Sequence, residues 1–524
     1  MKKKITVSLF GALFLIFSTC SHLNSGKSEK PDNINGFFAD PGSYDIVNYR
    51  GKKNVIKVNG ALTQWAVLRY SLEDYKGKEI IINFSADVRR EKSEGTLNWQ
   101  VNNEKEGYPS VVYLKNAAAG VWHHMKGRRI VVPDNDGPAL YLTNWENNAG
   151  DTIYYIANPT VTIEFGGINL DLSLPVLYTN YKNDFLIGNI AGSYNLNSKY
   201  SELLKRHYNI VTCTETYPFL LAPSEKNKYE WSRADTVVNF LRSNNIPVHG
   251  HVLTWHEDCP KWMTNGTREE VIANLQQYIT DVLTHFKGRI NSWDVVNEAI
   301  RDDLSASAAA GDWRKCVRSY ENPWFDKLGA DYIEIAFRAA RAADPDITLY
   351  YNDYFHYEWT NASWVGGVHK VEVVRKMIED INIRYKKETG GTRNLIEGVG
   401  SQSHFMEPTI NFDNVRTTLE KFKTLGIDIA ISELDISMAG FIRGEGNDTV
   451  MTAEEEIKQA QLYAQLFKLY REYSPYISRV VMWGADDGTS WLSGGNPCLF
   501  DWRLNAKKAF HAVNDPDGFL MQYK

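Results

Sequence analysis

Cysteine is scarce in this chain. The 524 residues contain five cysteines, and four of them lie beyond the first twenty residues, at Cys213, Cys259, Cys316 and Cys498. Their spacing matches no C-x-x-C metal motif, and they are too sparse for the framework of a disulfide-rich scaffold. A zinc ribbon and a small disulfide-stapled fold are therefore excluded. One disulfide bond in an oxidising compartment and four unpaired core thiols are both compatible with the sequence.

Basic clusters and nucleotide-binding motifs are also lacking. Lys and Arg number 58 against 64 Asp and Glu, for a formal net charge of −6, which gives no electrostatic basis for binding nucleic acid or an anionic membrane. No G-x-G-x-x-G or P-loop opens a helix, and no G-x-S-x-G elbow is present. In "HGHVLTWH", His249 and His251 share a strand face and His256 follows, but this is a weak zinc pattern. We expect neither a cofactor nor a bound metal.

Long hydrophobic runs are confined to the first residues. The apolar stretch "ITVSLFGALFLIF" follows three lysines and is too short for a stable membrane span. The next letters, "FSTC", resemble the lipobox of bacterial lipoproteins, although Phe17 stands where Leu is usual. We predict an export signal over residues 1–20, lipidated at Cys20 or simply cleaved near it, and a polar tether over residues 21–35. The expectation is a monomer on a bacterial outer membrane or cell surface, or else periplasmic or secreted, which contacts the membrane through its lipid anchor alone.

Aromatic residues are plentiful, at 13% of a chain that is long enough for two domains. Residues 36–165 form short alternating runs such as "KEIIINFSADV" and "TIYYIANPTVTIEF", separated by turn residues, which predict an all-β sandwich. The layout of these runs resembles carbohydrate-binding modules of families 4, 9 and 22. Four tryptophans are candidates for a sugar-stacking platform: Trp65, Trp99, Trp122 and Trp145. Residues 166–177 are predicted to link this region to the next.

Residues 178–515 follow a different pattern, in which eight apolar runs alternate with amphipathic segments. The predicted strands are "FLIGNIAG", "NIVTCTE", "IPVHGHVLTW", "SWDVVNEA", "TLYYNDY", "IEGVGSQSHF", "IDIAISELDI" and "RVVMWGAD". Eight strands alternating with helices favour a (β/α)₈ TIM barrel, with a doubly wound open sheet as the alternative.

Polar residues stand at the ends of these apolar runs, where a barrel carries its chemistry. They are Glu215, His256, Asn297, Glu298, Asn352, Asp353, Gln402, His404, Glu433, Asp435 and Trp483. The carboxylates Glu298 and Glu433 follow strands four and seven. Cleavage of a glycosidic bond requires such a pair, one to protonate the leaving oxygen and one to attack the anomeric carbon or activate water. Retention and inversion both remain open on spacing alone.

Six motifs then match one family in order: "GHVLTWH", "DVVNEA", "YYNDY", "GVGSQSH", "ISELDIS" and "WGADDGTSWL". Residues 175–515 resemble glycoside hydrolase family 10, best known for endo-β-1,4-xylanases. The resemblance implies a retaining double displacement, with Glu298 as general acid and base and Glu433 as nucleophile. Partial burial beside a second carboxylate would raise the pKa of Glu298 and keep it protonated.

The resemblance implies further roles around these two carboxylates. Asn297 would hold the sugar 2-hydroxyl, while His404 would bond Glu433 and be oriented by Asp435. The remaining implied sugar contacts are Glu215, His256, Gln402, Trp483 and Trp491.

The chain departs from the family pattern after strands two and five. The family's Glu-Asn-x-x-Lys motif reads "TETYPFLLAP" here, so that Thr216 replaces the Asn and Phe219 stands where Lys is expected; Phe355 likewise replaces an Asn. Either the local alignment slips at the proline, or the subsites on the non-reducing side are remodelled. Plain xylan, decorated xylan and another β-linked glycan all remain candidate substrates. The alternative from another class is a surface lipoprotein that binds glycan without cutting it.

Overall fold

The computed structural model describes residues 36–524, apart from 64–65, 93, 105–107, 144–151, 167, 169, 197, 359–367, 407–409 and 440–450. The predicted signal and tether, with Cys20, lie outside the described residues. So do two of the candidate platform tryptophans, Trp65 and Trp145.

Ten strands form the predicted β-sandwich. They are β1 (Phe37–Phe38), β2 (Tyr44–Tyr49), β3 (Lys52–Asn59), β4 (Ala66–Ser71), β5 (Ile80–Arg90), β6 (Gly95–Val101), β7 (Ser110–Ala117), β8 (His123–Val131), β9 (Ala139–Thr143) and β10 (Ile153–Phe165). Two antiparallel sheets result, which we call the outer sheet (β1-β4-β9-β6-β7) and the inner sheet (β2-β3-β10-β5-β8). Their facing side chains form one apolar core.

Alternation along β6 decides which side chains reach this core. Leu97, Trp99 and Val101 are fully buried, because successive side chains of a strand point to opposite faces. Trp99 packs edge-on against Phe37, with the ring centroids 5.9 Å apart. The prediction of Trp99 as a platform residue was therefore wrong, whereas Trp122 is half-buried, with the Nζ of Lys52 5.1 Å from its ring.

Eight parallel strands form the second domain and confirm the TIM barrel. They are β11 (Leu186–Ala191), β12 (Ile210–Cys213), β13 (Val248–Trp255), β14 (Ser292–Asn297), β15 (Thr348–Asp353), β16 (Gly398–Ser401), β18 (Asp428–Ser437) and β19 (Ile477–Met482). Each pairs with its neighbour in the chain, β19 pairs with β11, and β16 pairs directly with β18 to close the barrel. A short β17 (His404–Met406) adds to β18 at the carboxyl end.

Helices surround the barrel. They are α1 (Ser198–His207), α2 (Pro218–Leu221), α3 (Ser232–Ser243), α4 (Arg268–Phe286), α5 (Ala306–Ala310), α6 (Pro323–Leu328), α7 (Asp331–Ala343), α8 (Val368–Thr389), α9 (Phe412–Lys423), α10 (Ala453–Glu472), α11 (Lys508–Asn514) and α12 (Pro516–Gln522). The long helices α4 and α10 begin with capping boxes, in which Thr267 with Glu270 and Thr452 with Glu455 satisfy the first backbone N–H groups. Helix α12 extends past residue 515 and packs on α10.

The sandwich rests on the barrel through its inner sheet. Ile81 and Ile130 belong to the apolar cluster of the barrel rather than to that of the sandwich. Around them, Arg128 lies 4.2 Å from the ring centroid of Trp502, and Arg503 pairs with Glu164 at 3.0 Å. The outer sheet therefore faces away from the barrel.

The four described cysteines are free thiols, which answers the choice left open by their spacing. Cys213, Cys316 and Cys498 are buried and Cys259 is partly buried. Within the described part of the chain, no helix combines the length and the apolar character needed to span a membrane.

Candidate active site

A cleft of about 350 Å³ opens at the carboxyl ends of the barrel strands. Its walls combine carboxylates, imidazoles and aromatic rings: Tyr217, His251, Trp255, His256, Glu257, Asn297, Glu298, Arg318, Tyr354, His356, Gln402, His404, Glu433, Trp483 and Trp491. Nearly all of the predicted site residues are therefore brought together in one place.

Glu298 follows β14 directly and is partly exposed to the cleft. Its backbone has φ of 55°, a left-handed conformation that is uncommon for a side chain of this size, and its N–H donates to the carbonyl of Asn352 at 2.9 Å. Its Oε1 accepts a hydrogen bond from Gln402 at 2.8 Å, and its Oε2 accepts one from Trp255 Nε1 at 3.0 Å. Burial, together with the negative charges of Asp353 and Glu433, outweighs the Gln402 bond and raises the pKa of Glu298 to about 7. This carboxyl group is suited to carry a proton near neutral pH.

Glu433 lies within β18 and is paired with an imidazole. His404 Nε2 is 3.1 Å from Glu433 Oε2, while its Nδ1 is 2.9 Å from Asp435 Oδ1. Burial alone would lower the pKa of His404, but the two flanking carboxylates outweigh it and raise the pKa to about 10. The ring is therefore an imidazolium that donates to both carboxylates. The imidazolium places a positive charge beside the Glu433 carboxylate.

Three side-chain amides connect the two glutamates. Asn352 Nδ2 donates to Asn297 Oδ1 at 2.9 Å and to Glu433 Oε1 at 2.6 Å. Gln402 bonds Glu298, and Asn297 Nδ2 is 3.1 Å from the same Oε1. Asn297, Gln402 and Asn352 are almost fully buried, so their orientations are fixed by these bonds. Asn352 was noted at the end of its strand but was not predicted as a site residue.

His251 and Trp255, both on β13, are functional residues that the sequence interpretation missed. His251 was considered with His249 as a weak metal pattern, but both rings lie against Asp294, His251 Nδ1 at 2.8 Å and His249 Nε2 at 3.0 Å from its Oδ2. His251 also lines the cleft and packs edge-on against Trp483 at 5.4 Å. The signal available in the sequence was the alternation of side chains along a strand, which assigns residues 249, 251 and 255 of β13 to the same face.

The predicted sugar contacts His256, Trp483 and Trp491 all lie in the cleft wall. Trp491 Nε1 donates to Asp435 Oδ2 at 2.7 Å, and its ring centroid is 4.7 Å from that of His404. Trp483 approaches His404 at 6.2 Å. The two indoles thus form an apolar wall over the imidazolium and leave ring surface available for stacking.

Two predicted site residues do not line the cleft, Asp435, which lies behind His404, and Glu215. Glu215 is 2% exposed, and its Oε1 accepts hydrogen bonds from the backbone and hydroxyl of Ser193, each at 2.7 Å. Arg233 Nε lies 2.9 Å from its Oε2. The carboxylate is occupied by α3 and by the loop after β11, which explains why it is turned away from the cleft.

The departures from the family pattern have distinct structural consequences. Thr216 is fully buried, with its hydroxyl 2.9 Å from the carbonyl of Cys213 and 2.8 Å from that of His251. Tyr217 lines the cleft in its place, while the ring of Phe219 is 58% exposed beside Asp258, which accepts its backbone N–H at 2.8 Å. Phe355 is a core residue that packs against Phe422.

One group of side chains in the described residues has the spacing of metal ligands. A nitrogen of His256 and carboxylate oxygens of Glu257 and Glu298 lie within 4.8 Å of one another. His249 and His251 do not belong to this group.

Comparison with known proteins places this geometry in a family. The model of glycosyl hydrolase family 10 matches residues 176–516. The chain is 31% identical over 350 residues to a beta-1,4-xylanase of Dictyoglomus thermophilum, covering 65% of this chain and 91% of the relative. It is 32% identical over 438 residues to endo-1,4-beta-xylanase A of Thermoanaerobacterium saccharolyticum.

Solved structures agree with the sequence comparisons. An intracellular xylanase from T. saccharolyticum superposes with a TM-score of 0.56 at 30% identity, covering 66% of this chain and all of the other. A xylanase of the same family from termite gut, which contains a bacterial Ig-like domain, covers 82% of this chain and 94% of its own, with a TM-score of 0.60.

The relatives differ in size. The chain spans 34% of the length of the T. saccharolyticum endo-xylanase, and 48% of that of a protein named exoglucanase XynX from Acetivibrio thermocellus, to which it is 29% identical. The family match nevertheless covers well over half of this chain and includes both glutamates and their neighbours. The chain belongs to glycoside hydrolase family 10.

Proposed function

We propose that the protein is an endo-β-1,4-xylanase that cleaves xylan with retention of anomeric configuration. The observation that carries this proposal is the contrast between the two carboxyl groups of the cleft. Glu298 has its pKa raised to about 7, whereas Glu433 accepts hydrogen bonds from an imidazolium and an amide. A protonated acid beside an ionised nucleophile is the pair that a retaining hydrolysis requires.

In the first step, Glu298 transfers its proton to the glycosidic oxygen, which leaves with the departing sugar as a hydroxyl group. A carboxylate oxygen of Glu433 attacks the anomeric carbon and forms a glycosyl ester. Asn297 is placed beside both glutamates, where a hydrogen bond to the sugar 2-hydroxyl strengthens as charge develops on the ring.

In the second step, Glu298 works as a base. Formation of the ester removes the negative charge of Glu433, and the pKa of Glu298 falls because that charge contributed to raising it. The Glu298 carboxylate takes a proton from water while the water oxygen attacks the anomeric carbon. Glu433 leaves as a carboxylate, and His404 again stabilises its charge.

The substrate class is proposed from the relatives, several of which are named xylanases. Product analysis on plain xylan, arabinose- or glucuronate-decorated xylan, β-glucan and mannan tests it, with the Glu433→Ala variant as blank. We expect short xylo-oligosaccharides from plain xylan. Activity confined to β-glucan or mannan would overturn the substrate, and no activity on any polymer would overturn the proposed enzyme.

A second substrate class, decorated xylan or another β-linked glycan, is favoured by the loop after β12. Phe219 presents an exposed aromatic ring where the family pattern has a lysine, and Thr216 is directed into the protein. One relative is named an exoglucanase. In the same panel, release of products from decorated but not plain xylan would select this class.

We assign glycan binding to the outer sheet of the sandwich. Because Leu97, Trp99 and Val101 point inward, Asn98 and Gln100 must point outward, and pairing places Tyr113 opposite Asn98 and Tyr141 opposite Gln100. Tyr113 is 39% exposed, whereas Tyr141 is only 1% exposed and its hydroxyl accepts a hydrogen bond from Gln100. An exposed aromatic ring beside an amide suits a sugar, which presents apolar faces and hydroxyl edges.

Replacing Tyr113 with Ala tests this assignment. We expect weaker retention on insoluble xylan with unchanged hydrolysis of soluble oligosaccharides. Tyr476→Ala is a matched control, since Tyr476 is also 39% exposed but lies on the barrel. Equal retention of both variants and the parent would count against the outer sheet.

Export with a lipid on Cys20 remains our proposal for residues 1–35. Metabolic labelling with a fatty acid in the producing bacterium tests it. Label on the parent but not on Cys20→Ser is expected, and an unlabelled parent in the soluble exported fraction would contradict lipidation.

A further inference from the structure

The rim of the cleft around Glu298 gathers side chains of the types that ligate transition metals. His256 and Glu257 follow β13, Glu298 follows β14, and their donor atoms lie within 4.8 Å of one another. Ligands of a tetrahedral zinc ion lie about 3.4 Å apart, given metal–ligand bonds of about 2.0–2.2 Å. The three donor atoms are therefore close to the spacing of a formed site, and Glu257, which is exposed, can adjust its carboxylate by a change of rotamer.

The hydrogen bonding of these side chains leaves donor atoms for a metal ion. His256 Nδ1 is buried without a hydrogen-bond partner. Glu298 Oε1 accepts hydrogen bonds from Gln402 and Asn297, whereas Oε2 accepts one, from Trp255, and retains a second lone pair.

The cations near this rim are already balanced. Lys370 lies 2.9 Å from both Asp302 and Asp353, and Arg318 lies 3.5 Å from Asp302. Two carboxylates thus offset the two positive charges. The charges of Glu257 and of ionised Glu298 are left to attract a dication.

We propose that His256, Glu257 and Glu298 form an inhibitory binding site for a transition-metal dication such as Zn²⁺. One imidazole and two carboxylates select Zn²⁺, Ni²⁺ or Cu²⁺ over Ca²⁺ and Mg²⁺, which prefer oxygen ligands alone. Three protein ligands leave a fourth position open toward the cleft. An ion bound there occupies the lone pairs of Glu298 and excludes the proton that the proposed hydrolysis requires. This consequence for activity rests on the proposed function, whereas the binding itself does not.

Calorimetric titration of the full-length protein with Zn²⁺ alone tests the site. We expect one ion per chain, with affinity reduced at least about tenfold in Glu257→Gln and in His256→Asn, because each removes one of three ligands. Glu269→Gln, which alters an exposed glutamate at the start of α4, is the matched control and should bind like the parent. Absence of binding, or equal affinity in the parent and both ligand variants, would overturn the proposal.

Hydrolysis supplies the second readout. Zn²⁺ should inhibit the parent and the Glu269→Gln control alike, whereas Ca²⁺ and Mg²⁺ should not. Because Glu257 lines the cleft and its charge helps to raise the pKa of Glu298, inhibition of Glu257→Gln is measured relative to its own metal-free rate. On that scale it should resist Zn²⁺ at least about tenfold better than the parent. Equal inhibition of Glu257→Gln and the parent would overturn the site. An inactive parent that binds one Zn²⁺ through these residues would instead refute the proposed function and leave the site intact.

Discussion

The sandwich and the barrel of this protein place their polar groups in opposite ways. In the sandwich, the space between the sheets is filled by apolar side chains, and polar pairs such as Lys52 with Asp87 lie at the surface. In the barrel, ionisable side chains are buried at the strand ends, where Glu433, His404 and Asp435 are each at most 6% exposed. Burial of such groups is costly unless they bond one another.

This difference agrees with the proposed division into a catalytic barrel and a glycan-binding sandwich. Groups that share hydrogen bonds in a buried setting have shifted pKa values and fixed orientations, which acid–base and nucleophilic catalysis need. The outer sheet of the sandwich instead presents the exposed ring of Tyr113 beside Asn98, which suits the glycan binding that we propose for it. Substitutions in the barrel and in the sandwich should therefore have different effects.

The largest effect is expected from removing the nucleophile. Glu433→Ala should lower kcat on xylan by about 10⁴-fold or more, because no other described carboxylate lies beside His404 and Asn352 at the anomeric position. Initial rates on soluble xylo-oligosaccharides measure it. Binding of the oligosaccharide should persist. Substantial residual turnover would contradict the assignment of Glu433 as the nucleophile.

Replacing the general acid should slow the hydrolysis of some substrates more than others, according to whether the leaving group needs a proton. Glu298→Ala should reduce hydrolysis of xylan by about 10²- to 10⁴-fold, but cleavage of an aryl glycoside with an acidic phenol far less, since such a phenolate departs without a proton. Steady-state rates on both substrates give the ratio. Equal losses on the two would contradict the acid assignment.

The pH profile should report the raised pKa of Glu298. Because Glu298 must be protonated to act, kcat/KM should fall as pH rises through about 7 and decline about tenfold per unit above it. This decline above pH 7 should be absent for an aryl glycoside whose phenolate leaves without a proton. A xylan profile that stays flat to pH 9 would show that the group is not the acid.

The smallest effect is expected at the contact between the domains. Arg128→Ala removes the cation from the ring of Trp502 and should lower the free energy of unfolding by about 1 kcal/mol. Denaturant unfolding measures this loss. Lys53→Ala, at an exposed site on β3, is the control and should change little, and Arg128→Lys should recover part of the loss. An Arg128→Ala protein as stable as the control variant would indicate that the sandwich is not braced by this contact.

Much of the barrel could be predicted from the sequence because its strands are continuous apolar runs that end in polar residues. Glu298 and Glu433 were identifiable because each stands immediately after or within such a run, beside a residue of a family motif. The joining of His404 to Glu433 and Asp435 followed from the resemblance, and the observed distances agree with it.

The features that could not be predicted depend on contacts between segments that are distant in the sequence. Glu215 is turned away from the cleft by Arg233, a residue of a later helix. No sequence pattern around either residue predicts that ion pair. Trp99 is placed in the core by the pairing register of β6, which is fixed by the partner strands rather than by its own sequence. Asn352 acquires its role only when the barrel brings strands five and seven together.

The measurement that tests the central claim most directly is proton NMR of the products in the first minutes of hydrolysis of a xylo-oligosaccharide, before the anomers equilibrate. An ionised Glu433 that forms a glycosyl ester requires the new reducing end to appear first as the β-anomer. Initial release of the α-anomer would mean that water attacks directly, and it would contradict the assignment of Glu433 as nucleophile.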